Sequence, residues 1–171
     1  MTVSITIEAP RQDDLVELLR QSDDYALALY PPESCHLLDV SELEQPSVEV
    51  FVARAGTGQP ALGIAALVTD ATDPGSPDPE ASTTSPASTA RTAELKRMFV
   101  SADARGLGVA SALLDAVENR ARETGIGVLL LETGPLQPEA IALYSKFGFR
   151  IIPNFGKYVG DDLSVCMEKQ L

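Results

Sequence analysis

The sequence predicts an α/β domain, and two stretches in its second half carry that prediction. Residues 94–100 have the apolar bulk of a β-strand, and a glycine-rich turn follows them. Beyond the turn, apolar residues recur every three to four positions over residues 109–121, which is helical spacing. Residues 129–149 repeat the order of buried strand, turn and amphipathic helix. A chain of 171 residues is long enough for one domain with its own core, and we expect a single domain over residues 1–171.

Local patterns predict the elements of the first half. Residues 2–8 alternate between polar and apolar side chains, as a half-buried strand does. Residues 10–28 predict a helix, because they open with a proline and two aspartates that suit the positive end of a helix dipole. Residues 48–54 and 61–69 predict a β-hairpin, since the segment between them is Gly-Thr-Gly-Gln-Pro.

Residues 70–91 differ from the rest of the chain. They are rich in Ala, Ser, Thr and Pro, contain no aromatic residue and show no periodicity. Such a segment cannot bury enough apolar surface to offset the entropy cost of ordering. We therefore expect a flexible loop inserted between the third and fourth strands. It is either a tolerated insertion or a lid or partner-binding segment. After it, residues 128–132, 149–152 and 162–168 are the remaining predicted strands.

The glycine-rich turn before the helix at Val109 predicts an anion site. A helix that begins directly after such a turn directs unpaired N–H groups and its positive dipole end at one point, which suits a phosphate or pyrophosphate. Gly106 and Gly108 allow close backbone approach, and Arg105 adds a forked cation. The Lys-Ser/Thr of a Walker loop is absent, and Ser111 stands where a Rossmann fingerprint needs its third glycine.

Two motifs together resemble the GNAT N-acetyltransferases. Residues 104–110, Ala-Arg-Gly-Leu-Gly-Val-Ala, resemble the acetyl-CoA pyrophosphate loop of that family, whose signature is Arg/Gln-x-x-Gly-x-Gly/Ala. Residues 140–149 resemble its signature A-x-x-L-Y-x-x-x-G-F. The resemblance covers residues 48–169. It implies a GNAT fold, with a central mixed, mostly antiparallel sheet of about six to seven strands and about four flanking helices, in which strands four and five splay apart around acetyl-CoA.

The resemblance implies an acetyl-CoA-dependent N-acetyltransferase that acetylates a primary amine of a small molecule by direct attack in a ternary complex, without a metal. Tyr144 matches the family tyrosine that gives a proton to the departing thiolate, although it also lies on the apolar stripe of its helix and could serve packing alone. The residues implied to bind acetyl-CoA are Met98, Phe99, Val100, Arg105, Gly106, Gly108, Val109, Ala110, Leu131, Thr133 and Tyr144.

The general base is predicted less directly. Glu94 stands where several GNAT enzymes carry a base glutamate, and we predict it as the catalytic partner of Tyr144. Glu132 on strand five is the rival. A carboxylate can take a proton from an ammonium if burial raises its pKa, or through a water molecule. Many family members use a water chain and need no dedicated base.

Two segments resemble parts of one bacterial GNAT subgroup that line the acceptor pocket or cover it. They are residues 31–40, with the run Pro-Pro-Glu-Ser-Cys-His, and residues 153–160, Pro-Asn-Phe-Gly-Lys-Tyr-Val-Gly. His36 either meets the acceptor or is a packed or capping residue. The candidate acceptor-binding residues are Glu33, His36, Arg97 and Tyr158.

The acceptor remains open at this point. Strand alternation sends Lys96 and Arg97 to opposite faces, and a cation facing the pocket would favour an acceptor with a carboxylate, such as an amino acid. Eleven of the 25 acidic residues lie in residues 1–50, against two arginines, which instead suggests a cationic amine such as a polyamine or aminoglycoside. A peptide acceptor, in an enzyme that modifies protein N-termini or lysines, and a catalytically silent CoA-binding domain are the alternatives.

Composition limits the other partners. A net charge of −12 disfavours nucleic acid and anionic membranes. No apolar run approaches the ~20 residues of a membrane span, and no signal segment is evident, so a cytoplasmic location is expected. One histidine and two cysteines predict no metal cluster, and Cys166 is expected to be buried and inert. We expect a monomer or a homodimer.

Overall fold

The computed structural model describes residues 3–69 and 90–171. The loop predicted at residues 70–91 lies outside these residues, except for its last two. Seven strands form one sheet in the order β1-β2-β3-β4-β5-β7-β6. Neighbouring strands are antiparallel except for the parallel pair β4 and β5. The strands are β1 (Ser4–Ile7), β2 (Val48–Arg54), β3 (Ala61–Val68), β4 (Arg91–Val100), β5 (Ile126–Thr133), β6 (Arg150–Ile152) and β7 (Val165–Gln170).

In the part of the chain that the structure describes, four helices cover the two faces of the sheet, which confirms the predicted fold class. They are α1 (Asp13–Leu29), α2 (Val40–Leu43), α3 (Val109–Glu123) and α4 (Pro138–Lys146). The leucines of α1 pack on one face, against Val50, Val52 and Ile64. The apolar stripe of α3 packs on the other face, against Phe51 and Leu67. The central strands read as nearly continuous apolar runs because both faces of the sheet are covered. Within the described residues, no helix combines the length and apolarity needed to cross a bilayer.

Strand β7 starts at Val165, three residues later than predicted. The segment before it is organised by Asn154, whose Nδ2 atom lies 3.0–3.1 Å from the carbonyl oxygens of Tyr158, Asp161 and Ser164. These hydrogen bonds hold residues 156–164 in turns, so the extended conformation begins only after Ser164.

A β-bulge in β4 overturns the prediction that Lys96 and Arg97 face opposite sides of the sheet. The pairing register between β3 and β4 shifts at this point, and Arg97 has a left-handed φ of +53°. An extra residue in a strand interrupts the alternation of side chains. Both side chains therefore point to the face that α1 covers: Arg97 contacts Asp23 of that helix, and Lys96 contacts Tyr158, which packs on Leu130 of the same face.

The parallel strands β4 and β5 separate beyond the bulge, as predicted. Their pairing runs from Arg91 opposite Ile126 to Leu95 opposite Leu131. Beyond Leu95, β4 continues to pair with β3, and β5 continues to pair with β7 as far as Thr133. The facing edges of the two strands are consequently left open to each other.

Candidate active site

A cavity of about 450 Å³ lies where β4 and β5 separate. Its walls come from residues distant in sequence: the bulged end of β4, the end of β5, the second half of α1, residues 34–37 and one face of α4. One end of the cavity reaches the start of α3 through Arg105 and Ala110, and the other end reaches His36 and Leu163. We call these the donor end and the acceptor end.

The donor end is formed by the start of α3. Gly106 and Gly108 have φ values of +76° and +79°, and a Cβ atom on either would meet nothing within 4 Å. The first N–H of this helix with a helical partner is that of Ala112, which donates to the carbonyl of Gly108 at 3.0 Å. The N–H groups of the first turn have no partner within the helix. Val109 contributes only its backbone here, because its side chain is buried in the core.

The open edge of β4 continues from this helix start into the cavity. Met98, Phe99 and Val100 line it, while Phe99 and Val100 pair with β3 on their other side. Thr133 lines the opposite wall, where its hydroxyl donates a hydrogen bond to Gln137 at 3.3 Å. Leu131 is only 1% exposed, and it packs in the core instead of joining the described residues that line the cavity.

Tyr144 of α4 lines the cavity. Its ring packs edge-on against Phe149, with 5.8 Å between the ring centroids. Burial, with a smaller contribution from the charge of Glu132, raises the pKa of the Tyr144 phenol above its ordinary value. The phenol therefore stays protonated at neutral pH and retains a proton that it can donate.

Glu132 lines the cavity from β5. The hydroxyl of Ser164 donates a hydrogen bond to its Oε1 atom at 2.9 Å. Burial raises the pKa of Glu132 to about 7, and the Ser164 hydrogen bond and the charge of Lys96 only partly oppose that effect. A carboxylate with a pKa near neutrality is suited to accept a proton at physiological pH.

Glu94, the predicted base, lies in a buried cluster with Lys96 and Tyr158. Its Oε1 atom accepts hydrogen bonds from the Tyr158 hydroxyl at 2.5 Å and from Lys96 Nζ at 3.2 Å. Lys96 also donates to the Tyr158 oxygen at 2.5 Å. Of these three residues, only Lys96 is among the described residues that line the cavity.

The segment of residues 153–164 and residues 34–37 meet at the acceptor end. His36 Nε2 lies 3.4 Å from Asp161 Oδ2, and the imidazole ring stands edge-on to the Tyr158 ring at 4.9 Å. Glu33 is exposed and is not among the described residues that line the cavity, whereas His36 is.

Sequence comparison agrees with this geometry. Residues 13–149 match the model of the acetyltransferase (GNAT) family. This chain belongs to the GNAT family. An IAA acetyltransferase from Azospirillum brasilense is 41% identical to this N-acetyltransferase over 170 residues, which are 99% of this chain and 98% of the relative.

Solved structures share the GNAT fold along the whole chain. A Klebsiella pneumoniae protein classed as an acyl-CoA N-acyltransferase superposes with a TM-score of 0.72 and 28% identity, covering 99% of this chain and 98% of that one. The PaiA N-acetyltransferase of Thermoplasma acidophilum, solved in complex with coenzyme A, superposes with a TM-score of 0.67 and 16% identity over 100% of both chains.

The Arg97 side chain of this acetyltransferase binds to α1. Its Nη1 atom pairs with Asp23 at 2.6 Å, and its Nη2 atom donates to the carbonyl of Leu19 at 3.1 Å. Its Nε–H is buried without a partner among the described residues. The guanidinium thus joins the bulge of β4 to α1.

Several acidic residues of the N-terminal region also form ion pairs with arginines. Glu8 and Asp14 pair with Arg54, and Glu49 pairs with Arg120. The acidic residues among the described residues that line the cavity are Glu132 and Glu139, both from the second half of the chain. Among the described residues, no acidic residue of the first 50 positions lines the cavity.

Sequence reasoning missed Tyr30 in this GNAT site. Its hydroxyl accepts a hydrogen bond from the N–H of Leu136 at 2.9 Å, and it occupies the space where a Cβ atom on Gly134 would lie. This contact joins the end of α1 to the turn after β5. A glycine directly after a buried strand was the only local signal, and it carries no information about a tyrosine 104 positions earlier.

Proposed function

We propose that this GNAT enzyme uses acetyl-CoA to acetylate the primary amine of a small molecule, by direct attack in a ternary complex. One observation carries the proposal: a single cavity joins the open start of α3 to a carboxylate with a pKa of about 7 and a protonated phenol. Its volume of about 450 Å³ falls in the range of small-molecule sites. The acetyltransferase relative and the fold shared with a coenzyme A complex support the same donor.

The residues at the donor end fit a pyrophosphate and its pantetheine arm. The open space over Gly106 and Gly108 admits phosphate oxygens to the first-turn N–H groups of α3, and Arg105 adds a positive charge. The unpaired edge of β4 over Met98–Val100 offers backbone groups to the amides of the arm, as a sheet edge does to an added strand.

Glu132 and Tyr144 divide the proton transfers between them. The acceptor ammonium gives a proton to Glu132, and the freed amine nitrogen attacks the thioester carbonyl carbon. The new C–N bond forms, the C–S bond breaks, and its electron pair stays on sulfur. Tyr144 then donates its proton to that sulfur, and the second proton lost by the nitrogen restores the Tyr144 phenol, which gives a neutral amide and free coenzyme A. Glu94 has a different task in this proposal: from behind the cavity wall it holds Tyr158 and the wall residue Lys96 in place.

Ligand binding and thiol release test the proposal in two steps. Thermal unfolding is measured with acetyl-CoA and, as controls, with NADH and ATP. Acetyl-CoA at ~100 times its dissociation constant should stabilise the fold by ~2.7 kcal/mol, while NADH should not. Release of free thiol from acetyl-CoA is then followed with a panel of small amines and a panel of peptides.

The outcomes separate the competing functions. Acetyl-CoA binding with amine-dependent thiol release supports the proposal. Binding without thiol release for any acceptor would indicate a silent CoA-binding domain, and release with peptides alone would indicate a protein acetyltransferase. Failure of acetyl-CoA to stabilise the protein would remove the basis of the proposal.

A further inference from the structure

We infer that the acceptor is an amine that also carries a carboxylate, and that the Lys96 ammonium binds this carboxylate at the acceptor end of the cavity. The inference rests on the proposed function and narrows its substrate class. Three features support it: the N–H donor of Lys96 that has no partner in the Glu94 and Tyr158 cluster, the contacts that the other cations of the cavity wall already make, and the position of Glu132.

Lys96 has one N–H group available to a ligand. An ammonium has three N–H donors and no acceptor. Two of those donors are used by the Tyr158 oxygen and by Glu94 Oε1. The Lys96 side chain is 7% exposed, yet it lines the cavity, whereas its two partners lie behind it. The third donor therefore meets a ligand in a largely desolvated place, where a charge-assisted hydrogen bond is strong.

The other cations at the cavity wall are used elsewhere. The described residues that line the cavity include Lys96, Arg97 and Arg105 as permanent cations. Arg97 pairs with Asp23 of α1. Arg105 lies beside the start of α3, with its guanidinium over the ring of Tyr25 at 5.4 Å from the centroid. Lys96 is also paired, with Glu94, but it is the cation whose charge acts on Glu132, and this places it for the acceptor.

An amino acid matches the two charges of this region. The ammonium of the acceptor has Glu132 as its proton acceptor, and the carboxylate has Lys96. Lys96 and Glu132 interact electrostatically, and this interaction lowers the pKa of Glu132. A polyamine or an aminoglycoside would instead bring further positive charge against a buried ammonium, which is unfavourable at low dielectric. Leu37, Leu163 and the ring of Tyr30 complete the wall and favour an apolar or aromatic body.

The wild-type enzyme tests the inference without any substitution. Acetylation rates are compared for L-phenylalanine against 2-phenylethylamine and L-phenylalaninamide, for L-leucine against 3-methylbutylamine, and for spermidine. We expect kcat/KM to be about 10- to 100-fold higher for the carboxylates, as for one charge-assisted hydrogen bond. Equal or better acetylation of the amines, the amide or spermidine would overturn the inference while leaving the proposed function standing.

Substitution of Lys96 assigns the effect to that side chain. Lys96→Met keeps the aliphatic stem and should lower kcat/KM about 10- to 100-fold more for amino acids than for the matched amines. Loss of the Lys96 charge also raises the pKa of Glu132, which affects both kinds of acceptor alike. Lys157→Met is the matched control, because Lys157 flanks the same Tyr158 ring at 5.6 Å but lies outside the described residues that line the cavity. We expect it to leave the preference for carboxylates unchanged.

A second variant protects the test against misfolding. Lys96→Met leaves Glu94 buried with one partner fewer, which can destabilise the fold. The double variant Lys96→Met, Glu94→Gln removes both charges together and should fold while still lacking the preference. Retention of that preference in either folded variant would overturn the role of Lys96. Failure of the wild-type protein to bind acetyl-CoA and to acetylate any acceptor would instead count against the proposed function.

Discussion

The donor and acceptor ends of the cavity are built in different ways. The donor end consists mainly of backbone: the first-turn N–H groups of α3, two left-handed glycines and the open edge of β4. The acceptor end consists of side chains from separate parts of the fold: Tyr30 follows the end of α1, His36 lies in the next segment, Lys96 in β4 and Glu132 in β5. A backbone site needs only one short motif, whereas a side-chain site needs the assembled fold.

This difference indicates where variation is tolerated. Backbone N–H groups recognise a pyrophosphate whatever the neighbouring side chains are, so the donor end can stay constant while acceptors change. At the acceptor end, a single change such as the loss of Lys96 alters the charge that meets the substrate. Four predictions test this contrast, from the largest expected effect to the smallest.

Glu132→Gln should have the largest effect, because it removes the proton acceptor. We expect kcat/KM to fall about 10²–10⁴-fold with acetyl-CoA affinity unchanged. In the wild type the base works when ionised, so kcat/KM should rise with pH up to about 7 and then level off. The variant should lose this ionisation from its pH profile. Glu94→Gln is the matched control, and an equal loss in that variant would return the role of base to Glu94.

Tyr144→Phe should lower kcat by about 10²-fold, since it removes the proton donor and keeps the ring that packs on Phe149. We expect the smaller loss of the two because a thiolate is a comparatively good leaving group. The dissociation constant of acetyl-CoA, measured by calorimetry, should stay within a few-fold. An unchanged kcat would reduce Tyr144 to a packing residue.

Gly134→Ala should destabilise the fold by about 1–3 kcal/mol, because the new methyl group would overlap the hydroxyl of Tyr30. Thermal unfolding measures the loss. The double variant Gly134→Ala, Tyr30→Ala should lose less than the sum of the two single variants, since removing the ring frees the space. Strict additivity would show that the contact between α1 and the β5 turn carries no stability.

Gly108→Ala should have the smallest effect, at the donor end alone. A left-handed alanine costs about 1–2 kcal/mol, and we expect the dissociation constant of acetyl-CoA to rise about tenfold. Gly58→Ala is the control: Gly58 also has a left-handed φ, of +73°, with open space around it, but it lies in the β2–β3 turn. Gly58→Ala should lose about as much stability as Gly108→Ala but should bind acetyl-CoA with the affinity of the wild type. Equal affinities in both variants would contradict the pyrophosphate site at α3.

Sequence reasoning performed unequally at the two ends. The strand, turn and helix around Gly106 and Gly108 were predicted correctly, because local periodicity and glycine spacing determine them. Strand alternation placed Lys96 and Arg97 on opposite faces, and this was wrong because a bulge with a positive φ at a non-glycine residue leaves no recognisable pattern. The sequence led us to predict Glu94 as the base with Glu132 as its rival, and local pattern separates them poorly, since both glutamates stand on central strands.

By itself, the sequence determined the strand, turn and helix around Gly106 and Gly108, because these depend on short-range patterns of apolar residues and glycines. Two motifs carried the family resemblance, and that resemblance implied the sheet with its splayed strands. The tertiary structure decided which charges face the cavity. Burial raises the pKa of Glu132. Glu94 lies between Tyr158 and Lys96, and Arg97 forms an ion pair with Asp23. The free energy of a charge depends on its neighbours and on its distance from water, and residues far apart in the chain supply both.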